Sequence, residues 1–404
     1  MSTSMLYHGF GIKGYDYVRS QFAHGCIWFE ISQHRFNLCC SVCNCKDVVR
    51  RGYKYRVFKT LPIGQKTVFI EFNIPRIECL ACGIVRQVKV NFADPRRSYT
   101  KAFERYALGL SRHMTIQDVA NHLGVSWDVI KDIQKRFLHK KFSKPKLKHL
   151  KQIAIDEISI GKGHRYLTVV LDLATGAVVF VADGKGSDAL VAFWRRLKAS
   201  KADVEAIAID MSPAYIRAVR ENLPSATIVF DHFHIIKMFN DKLSDFRRQL
   251  QSQAQDSSQQ QVLKGTRWLL LKNPENLKEQ KNEHLRLEAA LKLNQPLATA
   301  YYMKEDLRQL WNQKNKTKAR SFLNDWIKRA KCSEIKMLID FADTLKNHSE
   351  GILAYYKYPI STGPLEGTNN KIKTLQRQAY GFRDKQFFKL KIYALHLTKY
   401  ALVG

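Results

Sequence analysis

Two identical apolar runs in the middle of the chain each end in an aspartate. Residues 153–156 and residues 207–210 both read IAID, so Asp156 and Asp210 each follow a short run that is rich in β-branched residues. Such a run predicts a buried strand, and ligands of an open α/β sheet usually bind at the ends of its strands. We therefore expect both carboxylates at one edge of a sheet, where they can share a divalent cation. For either aspartate taken alone, an ordinary place at a strand end is the alternative.

The pattern around these runs predicts alternating strands and helices. Strands are expected at 165–172, 177–182, 205–209 and 227–230, and helices are expected to begin at Ser187 and near Pro213. Three hairpin-like strands, a helix, and then strand, helix and strand is the ribonuclease-H-like order. We therefore predict an α/β ribonuclease-H-like catalytic core, with its first part in 151–234 and its last helices in 356–404. Between them, 235–355 is predicted to be a large all-α insertion with Trp268, Trp311 and Trp326 in its core.

Residues 99–138 carry apolar side chains at helical spacing on both sides of a glycine. A stripe from Ile116 to Leu123 is followed by Gly124, where a turn is needed, and by Ser126, a good cap for a next helix. This order predicts a helix-turn-helix domain, with a helical hairpin that simply packs as the alternative. The residues expected to face DNA from the second helix are Ser126, Trp127, Lys131 and Lys135. The segment 139–150 is basic, contains a proline and is predicted to be a linker.

Most of the eight cysteines lie close together before this domain. The spacings Cys40-x2-Cys43 and Cys79-x2-Cys82 predict a structural zinc with four thiolate ligands. Cys39 and Cys45 crowd the first pair and leave the choice of ligands there open, and unliganded buried thiols are the alternative. The residues between the pairs favour β-strands, so 36–98 is predicted to be a zinc-ribbon-like module, preceded by a packed lead-in segment at 1–35. A catalytic zinc is not expected, because four cysteine ligands leave no open position.

A helix near the end of the chain carries a carboxylate on a basic face. Glu366, Asn369, Asn370 and Lys373 lie at helical spacing and share that face, and from Glu366 to Lys399 there are eight Lys or Arg and two acids. A carboxylate in such surroundings is poor core material, so Glu366 is expected to be a third metal ligand beside a phosphate-binding surface. That surface is expected to comprise Asn369, Asn370, Lys371, Lys373, Arg377 and Arg383.

The composition points to a polyanionic partner. The 404 residues include 67 Lys or Arg and 36 Asp or Glu, which gives a formal net charge of +31. Double-stranded DNA is the first candidate for that partner and a membrane surface is the second. The sequence has no apolar stretch of about 18 residues, the length needed to cross a membrane. We therefore expect a soluble intracellular protein.

The order of these motifs resembles that of the DDE transposases of bacterial insertion sequences, specifically the ISL-three group. The most specific blocks are DHFHIIK at 231–237 and EGTNNKIK at 366–373, and the resemblance extends from about Cys40 to the C-terminus. It implies that the catalytic triad is Asp156, Asp210 and Glu366. It also implies that the zinc ligands are Cys40, Cys43, Cys79 and Cys82. The family's third strand-end block usually reads Asp-Arg-Phe-His, and this chain has His232 in place of the arginine.

The resemblance also implies an activity. Such a triad would hold two Mg²⁺ ions, cut DNA at the ends of the element and join the resulting 3′-OH to target DNA. Asp231 and His234 are expected to orient a ligand or a water from a second layer, with a structural hydrogen bond as the alternative. The zinc module and the helix-turn-helix would recognise terminal inverted repeats, and a homo-oligomer is expected because two ends must be joined.

Two other functions fit part of the pattern. A DNA-binding regulator without catalysis would explain the zinc module and the helix-turn-helix, but not the repeated IAID or Glu366. A structure-specific nuclease of the same fold would explain the acids, and it would cut DNA without joining it.

Overall fold

The computed structural model describes residues 4–161 and 163–396 and divides the chain into two compact units. Among the described residues, the first unit comprises 4–141 and 378–382, and the second comprises 142–161, 163–377 and 383–396. Residues 397–404, the end of the predicted last helices, lie outside the described residues.

The first unit is built on a five-stranded sheet with the order β1-β2-β4-β3, in which β5 also pairs with β4. Its elements are α1 (Met5–Phe10), β1 (Tyr15–Ala23), β2 (Cys26–Gln33), β3 (Val48–Lys59), β4 (Val68–Cys79) and β5 (Val85–Gln87). One face of the sheet is apolar, and Phe58, Ile70 and Phe72 pack there against Leu6 and Phe10 of α1. The strands β1 and β2 belong to this sheet, so the residues expected to form a separate lead-in segment are part of the zinc module's fold.

Three helices follow the sheet and form the helix-turn-helix. They are α2 (Lys101–Leu110), α3 (Ile116–Leu123) and α4 (Trp127–Phe142). The Thr115 hydroxyl accepts a hydrogen bond from the backbone N–H of Asp118 at the start of α3, and Gly124 ends that helix with a φ of 58°. Glycine adopts a positive φ at little cost. The turn between α3 and α4 therefore lies at Gly124, where the sequence predicts it. The last helix continues to Phe142, inside the segment expected to be a linker.

The second unit contains a mixed sheet with the order β10-β9-β6-β7-β8. Its elements are β6 (Gln152–Gly161), β7 (Arg165–Asp172), β8 (Val178–Asp183), α5 (Val191–Ser200), β9 (Ala206–Ile209), α6 (Pro213–Asn222) and β10 (Thr227–Phe230). The strands β6, β7 and β8 are antiparallel neighbours, whereas β9 and β10 are parallel to β6. This is the ribonuclease-H-like arrangement that the sequence predicts.

The rest of the second unit is helical. The helices are α7 (His232–Gln253), α8 (Ser257–Gly265), α9 (Arg267–Leu271), α10 (Glu283–Leu293), α11 (Gln295–Arg308), α12 (Lys316–Cys332), α13 (Lys336–Asn347), α14 (Ser349–Leu353), α15 (Gly363–Gln378) and α16 (Lys385–Ala394). The rings of Phe239, Trp326 and Phe341 pack edge to face in the core. Trp326 is buried as predicted, but the expectation for Trp268 was wrong, because its side chain is 65% exposed.

Candidate active site and zinc centre

The two IAID runs lie side by side in the second unit. The strands β6 and β9 are parallel neighbours, with Ile153 paired to Ile207 and Ala154 to Ala208. Asp156 lies two residues beyond Ala154 and Asp210 two residues beyond Ala208, so a continuation of this register would place the two aspartates opposite each other with their side chains on the same face. Asp210 directly follows β9, but Asp156 lies inside β6, which continues to Gly161. The expectation that Asp156 ends a strand was therefore wrong, because β6 extends past it as one arm of a hairpin with β7.

Burial makes both carboxylates harder to ionise. It raises the pKa of Asp156 and the pKa of Asp210 above the ordinary value, and the nearby charge of Asp210 raises the pKa of Asp156 further. The charge of His234 opposes the shift at both positions. Two partly buried aspartates whose pKa values are both raised are better suited to binding a cation than to stabilising the fold.

Asp231 and His234 lie beside this pair at the start of α7. Asp231 is 1% exposed, and its carboxylate accepts hydrogen bonds from the Thr362 hydroxyl at 2.7 Å and from the Thr362 backbone N–H at 3.3 Å. His234 Nδ1 lies 3.2 Å from Asp231 Oδ2. Burial alone would raise the pKa of Asp231, but His234 and Thr362 outweigh it and lower that pKa. In turn Asp231 raises the pKa of His234, with further contributions from Asp156 and Asp210.

The helix α15 carries the third acid to this region. Thr362 precedes the helix and contacts Asp231, and the backbone N–H of Glu366 donates to the Thr362 carbonyl at 2.9 Å. Further along the helix, Asn369 Nδ2 donates a hydrogen bond of 2.9 Å to Asp156 Oδ2. Glu366 lies one turn before Asn369, on the same side of the helix, and its side chain is exposed.

Most of the residues expected to contact DNA from this helix and the loop after it are exposed, and one is not. The exposed residues are Asn370, Lys371, Lys373, Arg377 and Arg383. Asn369 is only 6% exposed and is engaged with Asp156. The Asn369 side chain therefore lies beside Asp156 and not on the exposed surface that is expected to bind phosphates.

The second helix of the helix-turn-helix begins at the residues expected to face DNA. Ser126 is exposed, Trp127 is 41% exposed, and Lys131 Nζ lies 5.1 Å from the centre of the Trp127 ring. Lys135 is partly exposed one turn later. The opposite side of the helix is apolar and buried, as shown by Ile130. The helix therefore has one packed side and one side available to a partner.

Four cysteines of the first unit converge on one point. Cys40 Sγ lies 3.7 Å from Cys82 Sγ, and Cys43 Sγ lies 3.5 Å from Cys79 Sγ and 3.6 Å from Cys82 Sγ. Four sulfurs bound tetrahedrally to zinc at about 2.3 Å would be about 3.8 Å apart, so these distances fit zinc and are too long for disulfides. His, Cys, Asp and Glu side chains can each offer one ligand atom to a metal. Within the described residues, these four cysteines form the one group of three or more such side chains in which all ligand atoms lie within 4.8 Å of one another.

The electrostatics of the cysteine group also fit a metal. Backbone N–H groups of Cys43 and Val42 lower the pKa of Cys40 to about 6. At Cys43 the backbone N–H of Cys45 lowers the pKa, but the thiol of Cys79 and burial outweigh it and raise that pKa to about 12. The thiols therefore do not all ionise together unless a cation lies among them. Cys45 stays outside the group, and its sulfur accepts a hydrogen bond from the backbone of Asp47.

Two contacts beside the acids were not expected from the sequence. One is the hydrogen bond from Thr362 to Asp231, and the other is that from Asn369 to Asp156. By contrast, Glu157, which follows Asp156 in β6, makes its contacts elsewhere. Its carboxylate accepts hydrogen bonds from the Tyr215 hydroxyl and from the backbone N–H of Gly186. Glu157 therefore holds a loop on the other face of the sheet.

Comparison with known proteins finds relatives over most of the chain. An ISL3 family model described as transposase matches residues 153–392. A model for the helix-turn-helix domain of transposase family ISL3 matches residues 88–138, and a model for the zinc-finger of the transposases of IS204, IS1001, IS1096 and IS1165 matches residues 38–82.

Individual relatives match most of the chain. The chain is 33% identical over 342 residues to the transposase for insertion sequence element IS1001 of Bordetella parapertussis, and the match covers 84% of each protein. It is 29% identical over 362 residues to the transposase for insertion sequence element IS1557 of Mycobacterium tuberculosis, covering 83% of this chain and 80% of the relative. Among solved structures, the Drosophila P element transposase strand transfer complex is similar with a TM-score of 0.39 and 12% identity, covering 76% of this chain and 94% of that chain. Within the described residues, no helix combines the length and apolar character needed to cross a membrane.

Proposed function

Because the chain belongs to the ISL3 family of transposases, we propose that it binds the terminal inverted repeats of an insertion sequence, cuts DNA at the ends of the element and joins the 3′-OH to target DNA. The observation that carries this proposal is the pairing of β6, which contains Asp156, with β9, which leads directly into Asp210, together with the hydrogen bond from Asn369 of α15 to Asp156. That bond brings the helix of Glu366 to the two aspartates, although these residues are far apart in the sequence.

The donor set of this site fits magnesium. Mg²⁺ prefers hard oxygen ligands and is commonly held by one or two protein carboxylates. When bound, such ions would supply activation of the attacking oxygen and stabilisation of the leaving oxygen in a phosphoryl transfer. Asp156 and Asp210 would hold the ions from the sheet, and Glu366 would complete the site from α15.

Asp231 and His234 would keep this site in shape. The buried carboxylate of Asp231 binds the residue before α15 through two hydrogen bonds and so fixes the start of the helix that carries Glu366. His234 is held by Asp231, and its positive charge offsets part of the repulsion between Asp156 and Asp210. Both residues would act by positioning and not by contact with the reacting phosphate.

The first unit would select the DNA. One structural zinc held by Cys40, Cys43, Cys79 and Cys82 would stabilise the sheet unit. The start of α4, with Trp127 and Lys131, would contact the terminal repeat in a groove. Exposed basic residues of α15 would bind phosphates near the site of cutting. Two element ends must be held at once, so the working form would be a homo-oligomer on DNA.

A cleavage and joining assay tests the proposed function. The substrate is DNA that carries the ends of the element, with Mg²⁺, and the wild-type chain is compared with Asp210→Ala and with the control Asp203→Ala, an exposed aspartate that pairs with Lys151. We expect cleavage that leaves a joinable 3′-OH with the wild type and the control only. DNA binding without cleavage by the wild type would indicate a regulator, cleavage without joining would indicate a nuclease, and activity of Asp210→Ala would show that the acids are misassigned.

A further inference from the structure

Asn369 has its amide inside the acidic site. The side chain is 6% exposed, and its Nδ2 donates to Asp156 Oδ2 at 2.9 Å. An ionised carboxylate only accepts hydrogen bonds, so the nitrogen of the amide must be the atom that faces it. The other polar atom of the amide, the carbonyl oxygen Oδ1, does not take part in this hydrogen bond.

That carbonyl oxygen is buried, and it has no hydrogen-bond partner among the residues that the structure describes. A buried acceptor without a partner destabilises the fold, and such groups call for a specific explanation. The bond lengths of an amide keep its oxygen within about 2.3 Å of its nitrogen. Oδ1 therefore lies within about 5 Å of Asp156 Oδ2, given the 2.9 Å hydrogen bond.

This upper limit leaves room for the two oxygens to bind one cation. Oxygens bound octahedrally to Mg²⁺ at about 2.1 Å lie about 3.0 Å apart when adjacent and about 4.2 Å apart when opposite. An amide oxygen is a hard ligand of the same kind as a carboxylate oxygen. A neutral amide also adds no negative charge to a region in which burial and Asp210 already disfavour the ionised form of Asp156.

We propose that Asn369 positions Asp156 for cation binding and that its Oδ1 is a further oxygen ligand of the same divalent cation. This inference rests on the proposed function, because it requires a cation at Asp156. Nδ2 fixes the orientation of the carboxylate, and each carboxylate oxygen keeps further acceptor capacity with which to bind a cation. A residue that only packed α15 against the sheet would need neither the hydrogen bond nor the free oxygen.

A manganese titration tests the proposal. Mn²⁺ binding to the zinc-loaded full-length chain is followed by electron paramagnetic resonance, and binding that is lost in Asp156→Ala defines the site. Asn369→Leu keeps the size of the side chain but removes both polar atoms, whereas Asn369→Asp keeps an oxygen and removes the N–H donor. The matched control is Asn370→Ala, which changes the adjacent exposed asparagine.

We expect Asn369→Leu to weaken Mn²⁺ binding by about 10- to 100-fold in a chain that circular dichroism shows to be folded. Asn369→Asp should bind Mn²⁺ more tightly than Asn369→Leu, and Asn370→Ala should bind it as tightly as the wild type. Wild-type affinity in Asn369→Leu, or equal weakening in the leucine and aspartate variants, would overturn this inference alone. A wild-type chain with no Mn²⁺ site that depends on Asp156 would overturn the proposed function as well.

Discussion

Burial raises the pKa of Asp156 and the pKa of Asp210, whereas hydrogen bonds from His234 and Thr362 lower the pKa of Asp231 despite its burial. These aspartates therefore differ in role. Asp231 is satisfied within the protein and stabilises the start of α15. Asp156 and Asp210 have raised pKa values although the charge of His234 partly opposes the shift, an arrangement that stability alone does not favour. Asp156 and Asp210, whose charges destabilise the fold, are therefore the residues that we propose to be catalytic.

Removing the charge of Asp156 should therefore stabilise the cation-free protein at neutral pH. Because the folded pKa is raised, the contribution of this carboxyl to stability is fully present below its unfolded pKa of about 3.9 and is lost as the pH rises through the folded pKa. We expect Asp156→Asn to raise the unfolding midpoint at pH 7 by about 2–4 °C, with a smaller gain near pH 4. Circular dichroism melts at several pH values measure this, with the exposed Asp203→Asn as control. An unchanged or lower midpoint at pH 7 would contradict the electrostatic account.

At the scale of elements, α15 and the residue before it are attached to the rest of the second unit at three points. Thr362 binds Asp231 before the helix begins, Asn369 binds Asp156 in its middle, and Gln376 Nε2 donates to the Ile160 carbonyl of β6 near its end at 2.6 Å. The position of Glu366 therefore depends on contacts made by other residues of the same helix.

Loosening the first of these points should reduce cleavage. Thr362→Val removes the hydroxyl that donates to Asp231 and leaves a buried carboxylate with fewer partners, at a cost of about 1–3 kcal/mol. We expect slower DNA cleavage and faster hydrogen exchange at the start of α15. Thr362→Ser keeps the hydroxyl and should behave like the wild type. Equal cleavage by the valine and wild-type proteins would show that this contact does not position Glu366.

The zinc module gives a second prediction at this scale. Cys79→Ser removes one of the four converging sulfurs, so we expect the protein to lose about one zinc per chain, because structural zinc needs all four ligands. Metal analysis of the purified protein and near-ultraviolet circular dichroism measure the loss. Cys332→Ser, at an exposed free cysteine, should keep the metal. Full zinc content in Cys79→Ser would contradict the assignment of that ligand.

The elements around the site were predictable to the extent that their signals are local. The apolar runs of β9 and β10 and the glycine turn after α3 appear in a few consecutive residues, and the structure has them in place. The continuation of β6 past Asp156 was missed because it depends on pairing with β7 and not on its own composition. The hydrogen bond from Asn369 to Asp156 joins segments with the whole helical region between them. No pattern of spacing could have indicated it.

At the scale of the whole molecule, the net charge of +31 should dominate DNA binding. Each phosphate neutralised by a lysine or arginine adds about 0.9 to the slope of log affinity against log salt concentration. Lys373→Ala should therefore weaken binding to all DNA sequences and reduce that slope by about 1. Fluorescence anisotropy at several salt concentrations measures it. Lys292→Ala, which removes a lysine already paired with Glu288, should leave the slope unchanged, and an unchanged slope in Lys373→Ala would remove that residue from the DNA surface.

We propose that the segments of Asp156, Asp210 and Glu366, which are far apart in the sequence, enclose one divalent-cation site. It is tested most directly by replacing Mg²⁺ with Fe²⁺ and adding ascorbate and peroxide, since radicals formed at the bound iron cut the nearby protein backbone. We expect cuts near Asp156, Asp210 and Glu366, identified by mass spectrometry, that disappear with excess Mg²⁺ and in Asp210→Ala. Cuts that miss one of these segments, or that persist in Asp210→Ala, would contradict the account.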